Sequence, residues 1–358
     1  MATRLILVGG FLGAGKTTLL LQAARTLAGR GLRAAIVTND QGHALVDTAL
    51  AAAHALPVEE IGGGCFCCRF PDLVAAVARL RAAVAPDVIL AEPVGSCTDL
   101  VATVIRPLRA FGAGDVTVAP LTVLLDPLRD LRGFDDTVGY LYAQQLAEAE
   151  IIALGKLDLL APEEARAQLA GLRRSNPGAQ VVALSGRGGE GVAAWLDRCL
   201  AGESGARRAL DLDYERYAAA EASLGWLNAA GELRGARPFA LDGWAASALY
   251  ALDRVFAERG APVAHIKIHL ETPGATLKAS LTHSGAPISW DLLPLNTRAE
   301  RADVRLNVRV AGEPALLEGA VRRLAAETPP WIALDITQLE CFSPPPPQPA
   351  YRLGGAVD

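Results

Sequence analysis

The amino-acid sequence predicts an α/β protein, in which a doubly wound and mainly parallel sheet is followed by a smaller α+β domain. Three observations lead to this prediction. Apolar runs of strand length alternate with helical segments over residues 4–200, as they do in βαβ units. A glycine-rich loop of the phosphate-binding type joins the first run to the first helix. Polar residues follow several of the later runs, at the sheet edge where α/β proteins bind ligands.

The first element is a strand, loop and helix that together form a phosphate-binding unit. Residues 5–8 are apolar and predict a buried strand, and residues 19–28 predict a helix that ends in glycine. The loop between them fits the pattern G-x-x-x-x-G-K-[ST], in which backbone N–H groups surround phosphate oxygens. Its lysine gives a positive charge to the outer phosphates, and its threonine hydroxyl binds Mg2+. The predicted nucleotide-binding residues of this loop are Gly10, Gly13, Ala14, Gly15, Lys16, Thr17 and Thr18.

The next two predicted strands, residues 32–38 and 87–91, end in residues suited to phosphate chemistry. The first leads into Asn39 and Asp40, and the second into Glu92 and Gly95. A carboxylate at a strand tip can hold Mg2+ through water, and a glycine three residues later can sense the γ-phosphate through its N–H. Either carboxylate could position the attacking water. The residues predicted to act in catalysis are Lys16, Thr17, Asp40, Glu92 and Gly95, with Mg2+ held by Thr17 and Glu92.

A base-binding segment follows the predicted strands at residues 120–126, 151–154 and 180–184. GTPases read guanine with an Asn-Lys-x-Asp turn, whose Asp accepts two hydrogen bonds from the base while the Lys stem stacks along it. Here Lys156 and Asp158 are kept and Gly155 stands in the place of the Asn. We therefore predict that Lys156, Asp158 and Ser185 bind the base and that GTP is preferred over ATP.

Three cysteines, Cys65, Cys67 and Cys68, lie within four residues. This spacing is too tight for two disulfides and suits three soft ligands that converge on Zn2+ or a similar ion. A redox-active pair is the alternative, since adjacent thiols also suit disulfide exchange. A closed tetrahedral site needs a fourth ligand, for which His43 or Asp40 is the natural candidate.

Composition limits the remaining possibilities. The chain has 358 residues, of which 51% are apolar and 20% charged, and its net charge is −5. This charge argues against a nucleic-acid partner. No run approaches the roughly 20 apolar residues needed to cross a bilayer, so we predict a cytoplasmic protein without membrane contact. The scattered cysteines Cys97, Cys199 and Cys341 are interpreted as small buried hydrophobic residues.

The predicted domains are a phosphate-loop domain at residues 1–201, a linker at 202–213, an α+β domain at 214–342 and a proline-rich extended tail at 343–358. The second domain resembles a βαββαβ unit with one extra strand. Its predicted strands are 222–227, 263–270, 276–282, 304–310 and 332–339, and its predicted helices are 243–259 and 314–326. His265, Lys267 and His269 share one strand face, which favours solvated polarity over a metal or partner site.

These motifs together resemble those of the CobW-type metal-handling GTPases, relatives of the nickel-insertion GTPases of urease and hydrogenase maturation. The match runs through residues 10–18, 39–42, 47, 63–68, 92, 95, 145, 150, 156–158, 185–187 and 189–191. The resemblance implies slow hydrolysis of GTP with Mg2+. It also implies a divalent ion such as Zn2+, Co2+ or Ni2+ at the cysteines, a client metalloprotein and a possible homodimer.

The sequence departs from this family in three places. The Asn-Glu-Phe-Gly-Glu segment of the family is replaced in this sequence by Asn39-Asp40-Gln41-Gly42-His43. Gly155 stands in the place of the base-reading Asn, and the sequence has no histidine-rich segment. Two other functions therefore stay open. One is a nucleotide-gated chaperone of a corrinoid-dependent enzyme, in which the cysteines are structural. The other is a small-molecule kinase, although that would leave the cysteines unexplained.

Overall fold

The computed structural model describes residues 2–41, 46, 56–112, 115–206, 209–294 and 296–354. In these ranges the chain forms two sheets with helices packed on them. His43, the predicted metal ligand, lies outside the described residues, as does the matched Asp47. Of the helices in the described ranges, none is long and apolar enough to cross a membrane.

The first sheet is parallel throughout the described ranges, which confirms the predicted fold class. Its strands are β1 (Thr3–Gly9), β2 (Ala34–Asn39), β3 (Val58–Ile61), β4 (Val88–Glu92), β5 (Val116–Val118), β6 (Thr122–Leu125), β7 (Ile151–Leu154) and β8 (Gln180–Ala183). They are ordered β3-β2-β4-β1-β6-β7-β8, and β5 also pairs with β1. The short strands β3 and β5 are not predicted from the sequence, because two of the four residues of β3 are glutamates and β5 has only three residues. All the functional strand tips lie on one edge.

Helices cover this sheet. They are α1 (Lys16–Gly29), α2 (Phe70–Val84), α3 (Arg106–Phe111), which continues a π-helical turn (Val101–Ile105), α4 (Asp136–Glu148), α5 (Pro162–Ser175) and α6 (Val192–Ala201). Helix α1 shows how sequence sets these elements. It begins after Gly15, which is left-handed at φ 96°, and it buries a stripe that includes Leu20, Ala23 and Leu27. Because these apolar residues pack against the core, the helix is held with its first residues at the phosphate loop.

Helix α7 (Tyr214–Ala222) ties the two parts of the chain together. The Asp213 carboxylate caps it by accepting hydrogen bonds from the N–H groups of Glu215 and Arg216. Tyr217 is almost fully buried in a core that contains residues of both sheets, such as Leu5 on β1 and Trp226 on the second sheet. Helix α7, with which the predicted second domain begins, therefore packs in a core that both sheets share.

The second sheet is antiparallel throughout the described ranges. Its strands are β9 (Leu224–Ala240), β10 (Val263–Thr272), β11 (Ala275–Leu281), β12 (Ser289–Leu292), β13 (Arg298–Ala311) and β14 (Ile332–Phe342), with helices α8 (Leu241–Glu258) and α9 (Pro314–Glu327). The strand order is β12-β11-β10-β13-β9-β14. Strand β12 adds to the predicted set, and β9 and β13 are much longer than predicted.

The two faces of the second sheet have opposite character. Ile266 and Ile268 on β10 are fully buried in a core shared with α8 and α9. The alternate residues His265 and His269 are also buried, at 5% and 1% exposure. The predicted solvated polarity of this face is therefore wrong for both histidines. Alternating polar and apolar residues identify a polar strand face. Whether that face is buried depends on which distant parts of the chain pack over it, and the alternation does not show this.

Replacement of Ile268 by alanine should test the apolar face. We expect a loss of about 2–5 kcal/mol in the free energy of unfolding, because the side chain is fully buried and the core cannot collapse around the cavity. The matched control is Gln338→Ala, at an exposed position on β14, which should change stability by less than about 0.5 kcal/mol. Urea denaturation measures both, and equal midpoints would contradict the assigned core.

Candidate nucleotide and metal sites

A cleft of about 310 Å³ lies between the strand tips of the first domain and the polar face of the second sheet. Its lining from the first domain includes Gly13, Ala14, Gly15, Lys16, Thr17, Thr18, Asn39, Asp40, Glu92, Gly95, Lys156 and Asp158. Its lining from the second domain includes Trp226, His265, Lys267, Lys278, Ser280, Thr282 and Asp291. The predicted phosphate-loop, switch and base-binding residues thus meet in one cleft, which the second domain helps to form.

The phosphate loop needs glycine at its first position. Gly10 has φ 129°, and a Cβ there would lie 2.3 Å from the carbonyl oxygen of Leu124. Both the backbone angle and this contact exclude a side chain. The Lys16 ammonium lies inside the loop and donates a hydrogen bond of 2.8 Å to the Gly10 carbonyl oxygen. The charge that phosphate-loop proteins offer to the outer phosphates is therefore in place.

Thr17 and Glu92 form the second part of the site. The Thr17 hydroxyl donates a hydrogen bond of 3.1 Å to Oε1 of Glu92, and both side chains are buried. A hydroxyl oxygen beside a carboxylate is a hard donor pair of the kind that Mg2+ binds. The structure thus brings together the two residues predicted to hold this ion.

Gly95 is packed directly against the phosphate loop. A Cβ at this position would lie 2.9 Å from the backbone nitrogen of Leu12 and 2.8 Å from its Cδ2. The Gly95 carbonyl oxygen accepts a hydrogen bond of 3.0 Å from Gln145, which donates a second, of 2.8 Å, to the Cys97 carbonyl oxygen. The backbone that follows β4 is therefore held at the loop by a buried amide on α4.

The base-binding end has a preorganised acceptor. The Ser185 hydroxyl donates a hydrogen bond of 2.6 Å to Oδ1 of Asp158. Lys156, which is left-handed at φ 50°, forms an ion pair of 2.7 Å with Asp126. Gly155 packs tightly, because a Cβ there would lie 3.0 Å from a side-chain carbon of Leu124. The three predicted base-binding residues thus lie together, and the glycine that departs from the GTPase pattern fits its neighbours.

Asp40 is engaged by the second domain. Arg309 donates from Nη2 to both carboxylate oxygens of Asp40, at 2.9 and 3.0 Å. The guanidinium is fully buried and stacks on the Trp226 ring with 4.1 Å between the guanidinium carbon and the ring centroid. Among the described residues, Asp40 does not belong to the cysteine cluster for which it is a predicted ligand. Its partner lies 269 positions away in the sequence.

Asn39 connects β2 to the cysteines. Its amide nitrogen donates hydrogen bonds of 2.8 Å to the carbonyl oxygens of Ile61 and Gly64. Its amide oxygen accepts one of 2.9 Å from the N–H of Phe66 and a longer one of 3.4 Å from Val94. This buried side chain therefore joins the cysteine loop to the segment that follows β4. The sequence marks Asn39 as a strand tip but does not identify these partners.

The three predicted cysteines form a sulfur cluster. The Cys65 sulfur lies 2.7 Å from that of Cys67 and 3.2 Å from that of Cys68. Hydrogen bonds from the other thiols hold the pKa of Cys65 well below its usual value. The same hydrogen bonds with Cys65 raise the pKa of Cys67, and they raise that of Cys68 to about 11. The cluster thus favours one thiolate supported by two thiols, as expected for sulfurs close enough to bind one ion.

Two further residues lie at this cluster that the sequence does not single out. Cys97 is almost fully buried in the same core as Cys65 and Cys67. Glu221 is nearly fully buried beside them, and it accepts a hydrogen bond from the Ser96 hydroxyl at 2.5 Å. Burial, and after it the charge on Cys65, raise its pKa to about 8. The predicted burial of Cys97 is confirmed, and its position just after a functional strand tip is the one sequence signal that connects it to this part of the molecule.

Residues 343–354, here called the strap, cross the cysteine loop in an extended conformation. The N–H of Gln348 donates to the Cys68 sulfur at 3.2 Å, and the N–H of Ala350 donates to the Cys67 carbonyl oxygen at 2.9 Å. The predicted extended tail is thus packed against the candidate metal site.

The end of the strap is anchored by charge. Arg352 donates a hydrogen bond of 2.8 Å to the buried carboxylate of Asp99 and lies over the Tyr214 ring. Arg106 donates one of 2.8 Å to the carbonyl oxygen of Leu353. Prolines explain the extended conformation, but these anchors involve residues too distant in sequence for a pattern to reveal.

Comparisons with known proteins agree with this geometry. The family model described as CobW/HypB/UreG, nucleotide-binding domain, matches residues 4–183. The zinc chaperone YeiR of Escherichia coli (strain K12) is 34% identical over 175 residues, which is 46% of this chain and 50% of that protein. The chain thus spans about half the length of this curated relative.

Solved structures give more distant matches. HypB from Helicobacter pylori, in complex with nickel, is 15% identical with a TM-score of 0.41, over 56% of this chain and 86% of that chain. The Zn(II)-bound YjiA GTPase from E. coli is 14% identical with a TM-score of 0.35, over 90% of this chain and 99% of that chain.

Replacement of Gly95 by alanine should disturb the phosphate loop. We expect weaker binding of nucleoside triphosphate with the fold preserved, because the new methyl group would push on the backbone nitrogen of Leu12. The matched control is Gly139→Ala in α4, where nothing lies within 4 Å of the new Cβ. Calorimetric titration of nucleotide measures both variants. Equal affinities would show that the close contact between Gly95 and Leu12 has no role in binding.

Proposed function

Because the chain belongs to the CobW/HypB/UreG family of nucleotide-binding domains, we propose that it is a slow GTPase that acts as a metallochaperone. In this proposal it binds one divalent metal ion at Cys65, Cys67 and Cys68 and delivers it to a client metalloprotein. The observation that carries the proposal is the hydrogen bonding of Asn39, whose side chain holds the cysteine loop beside the nucleotide cleft.

The hydrolytic step follows from the residues of the cleft. Water attacks the γ-phosphorus, the bond from that phosphorus to the β–γ bridging oxygen breaks, and GDP leaves with the electron pair. One proton of the water stays on the attacking oxygen and the other passes to a second oxygen of the transferred group, so that both end on the released phosphate. Lys16 and the N–H of Gly95 stabilise the charge on the transferred group. Mg2+, held by Thr17 and Glu92, would neutralise charge on the β- and γ-phosphate oxygens.

The metal cargo is bound by sulfur in this proposal. Thiolates are soft ligands that favour ions such as Zn2+, and binding releases protons from thiols whose pKa is raised, such as Cys67 and Cys68. A tetrahedral site needs a fourth donor. Cys97, which is buried in the same core as Cys65 and Cys67, is the donor that we propose, whereas Asp40 is bound to Arg309.

Nucleotide and metal are coupled through short connections. Cys97 is two residues beyond Gly95, the residue proposed to sense the γ-phosphate. Asn39 hydrogen bonds both to the cysteine loop and to Val94 on the other side of Gly95. A shift of this segment on hydrolysis would therefore change the arrangement of the sulfurs. Release of the ion after hydrolysis is the consequence that we propose.

Nucleotide preference is the first property to measure. We expect GTP to bind more tightly than ATP, because Asp158 offers two acceptor oxygens to guanine while adenine has no matching donor pair. The missing Asn at position 155 should cost about 0.5–1.5 kcal/mol of binding energy without reversing the preference. Competition calorimetry measures this preference, with Lys16→Ala as the variant that should lose both nucleotides while remaining folded by circular dichroism. ATP binding as tight as GTP binding would refute the guanine assignment.

Metal binding should depend on the nucleotide. We expect one Zn2+ or Co2+ per chain, bound more tightly at higher pH, with affinities in the GDP and GTP-analogue states that differ by roughly 5- to 150-fold. Titration of Zn2+, Co2+ and Ni2+ in both states measures this coupling.

Three cysteine variants locate the metal site. Cys67→Ser should weaken binding, and Cys97→Ser should reduce the thiolate-to-cobalt charge-transfer absorption if four sulfurs bind. Cys341→Ser on β14, outside the cluster, is the matched control. Undiminished binding in Cys67→Ser would reject the site, and a protein that binds nucleotide but no metal would favour the corrinoid-enzyme alternative.

A further inference from the structure

The second sheet lies directly on the phosphate loop. A Cβ added to Gly13 would lie 3.0 Å from the carbonyl oxygen of Ala264 on β10. Arg129 fixes this contact, because its Nη2 donates to the carbonyl oxygens of Leu12, at 2.8 Å, and Ala264, at 2.9 Å. Strand β10 is therefore held against the part of the first domain that surrounds phosphate.

The next residues of β10 present polar side chains to the cleft. His265 and Lys267 alternate along the strand and both line the cleft with Lys16. Two other parts of the second domain also meet the cleft. The Thr282 hydroxyl, just after β11, lies 3.4 Å from the Lys156 ammonium, and Asp291 on β12 accepts a hydrogen bond of 3.1 Å from Thr18 at the start of α1. The base end thus faces Thr282, whereas the phosphate loop faces β10.

His265 marks this end as a ligand site. This residue is only 5% exposed, and among the residues that the structure describes its Nδ1 has no hydrogen-bond partner. Burial lowers its pKa well below the usual value, and the positive charges of Lys267, Arg309, Lys16 and Arg129 act in the same direction. A neutral imidazole thus sits among cations from both domains, with a buried polar atom available to a bound group.

The charge around this imidazole selects the ligand. Lys267 on β10 and Lys16 in the phosphate loop both line the cleft and bring positive charge to it from the two domains. The complementary group is the end of a polyphosphate, which is more highly charged in a triphosphate than in a diphosphate.

We infer that Lys267 binds the terminal phosphate of the nucleoside triphosphate and that His265 donates a hydrogen bond to it from Nδ1. The second domain then completes the nucleotide site within the same chain, opposite Lys16. This inference rests on the proposed nucleotide site. It also distinguishes the two nucleotide states, since a diphosphate lacks the group that Lys267 contacts. Loss of the terminal phosphate removes one contact between the ligand and the second domain.

The test compares triphosphate and diphosphate binding in Lys267→Gln. We expect affinity for a non-hydrolysable GTP analogue to fall roughly tenfold to hundredfold, as for loss of a hydrogen bond between charged groups, while GDP affinity is unchanged. Single-turnover hydrolysis should slow in parallel. Lys267→Arg should recover most of the analogue affinity, because it restores the positive charge.

The matched control is Arg301→Gln, which removes a positive charge at a position of β13 that is 76% exposed and outside the cleft lining. It should change neither affinity. An unchanged ratio of analogue to GDP affinity in Lys267→Gln would overturn the inference, and so would equal losses for both nucleotides. Wild-type protein that binds no nucleotide at all would instead refute the proposed function, so the two failures can be told apart.

Discussion

A buried guanidinium, that of Arg309, determines how the two domains meet. It is fully buried, and a buried charge is costly unless an opposite charge and hydrogen bonds compensate for it. Asp40 from the first domain supplies the opposite charge, and the Leu227 carbonyl oxygen and the Asn228 side chain accept further hydrogen bonds at 2.8 Å. Separation of the domains would leave this charge without its counter-ion. The shared nucleotide cleft therefore depends on the ion pair that closes it.

The tip of strand β2 is the point where three parts of the molecule connect. Asn39 holds the cysteine loop, and its neighbour Asp40 holds the second domain through Arg309. Both residues also line the nucleotide cleft. Because adjacent residues of an extended strand point to opposite sides, one strand end can serve two partners that do not touch each other. The proposed coupling of nucleotide, metal and domain contact thus requires no long pathway through the protein.

Local patterns were sufficient to predict much of this arrangement. The parallel sheet, the phosphate loop and the three cysteines follow from periodicity and spacing over short stretches of chain. What the sequence could not provide were contacts between distant residues. The pairing of Asp40 with Arg309, the burial of Cys97 in the same core as Cys65, and the burial of His265 depend on how separate elements pack. A polar strand face has the same pattern whether water or another domain covers it.

The strap changes how quickly the cysteines can exchange a bound ion. An extended proline-rich segment has little conformational entropy to lose on docking, so a few hydrogen bonds and the anchor at Arg352 can keep it in place. For an ion bound at these cysteines as proposed, entry and departure would then be faster when this segment lifts. The dissociation rate would reflect the opening frequency of the strap as well as the strength of the metal–sulfur bonds. Chelators or oxidants would reach the buried thiols of Cys65 and Cys67 during those openings.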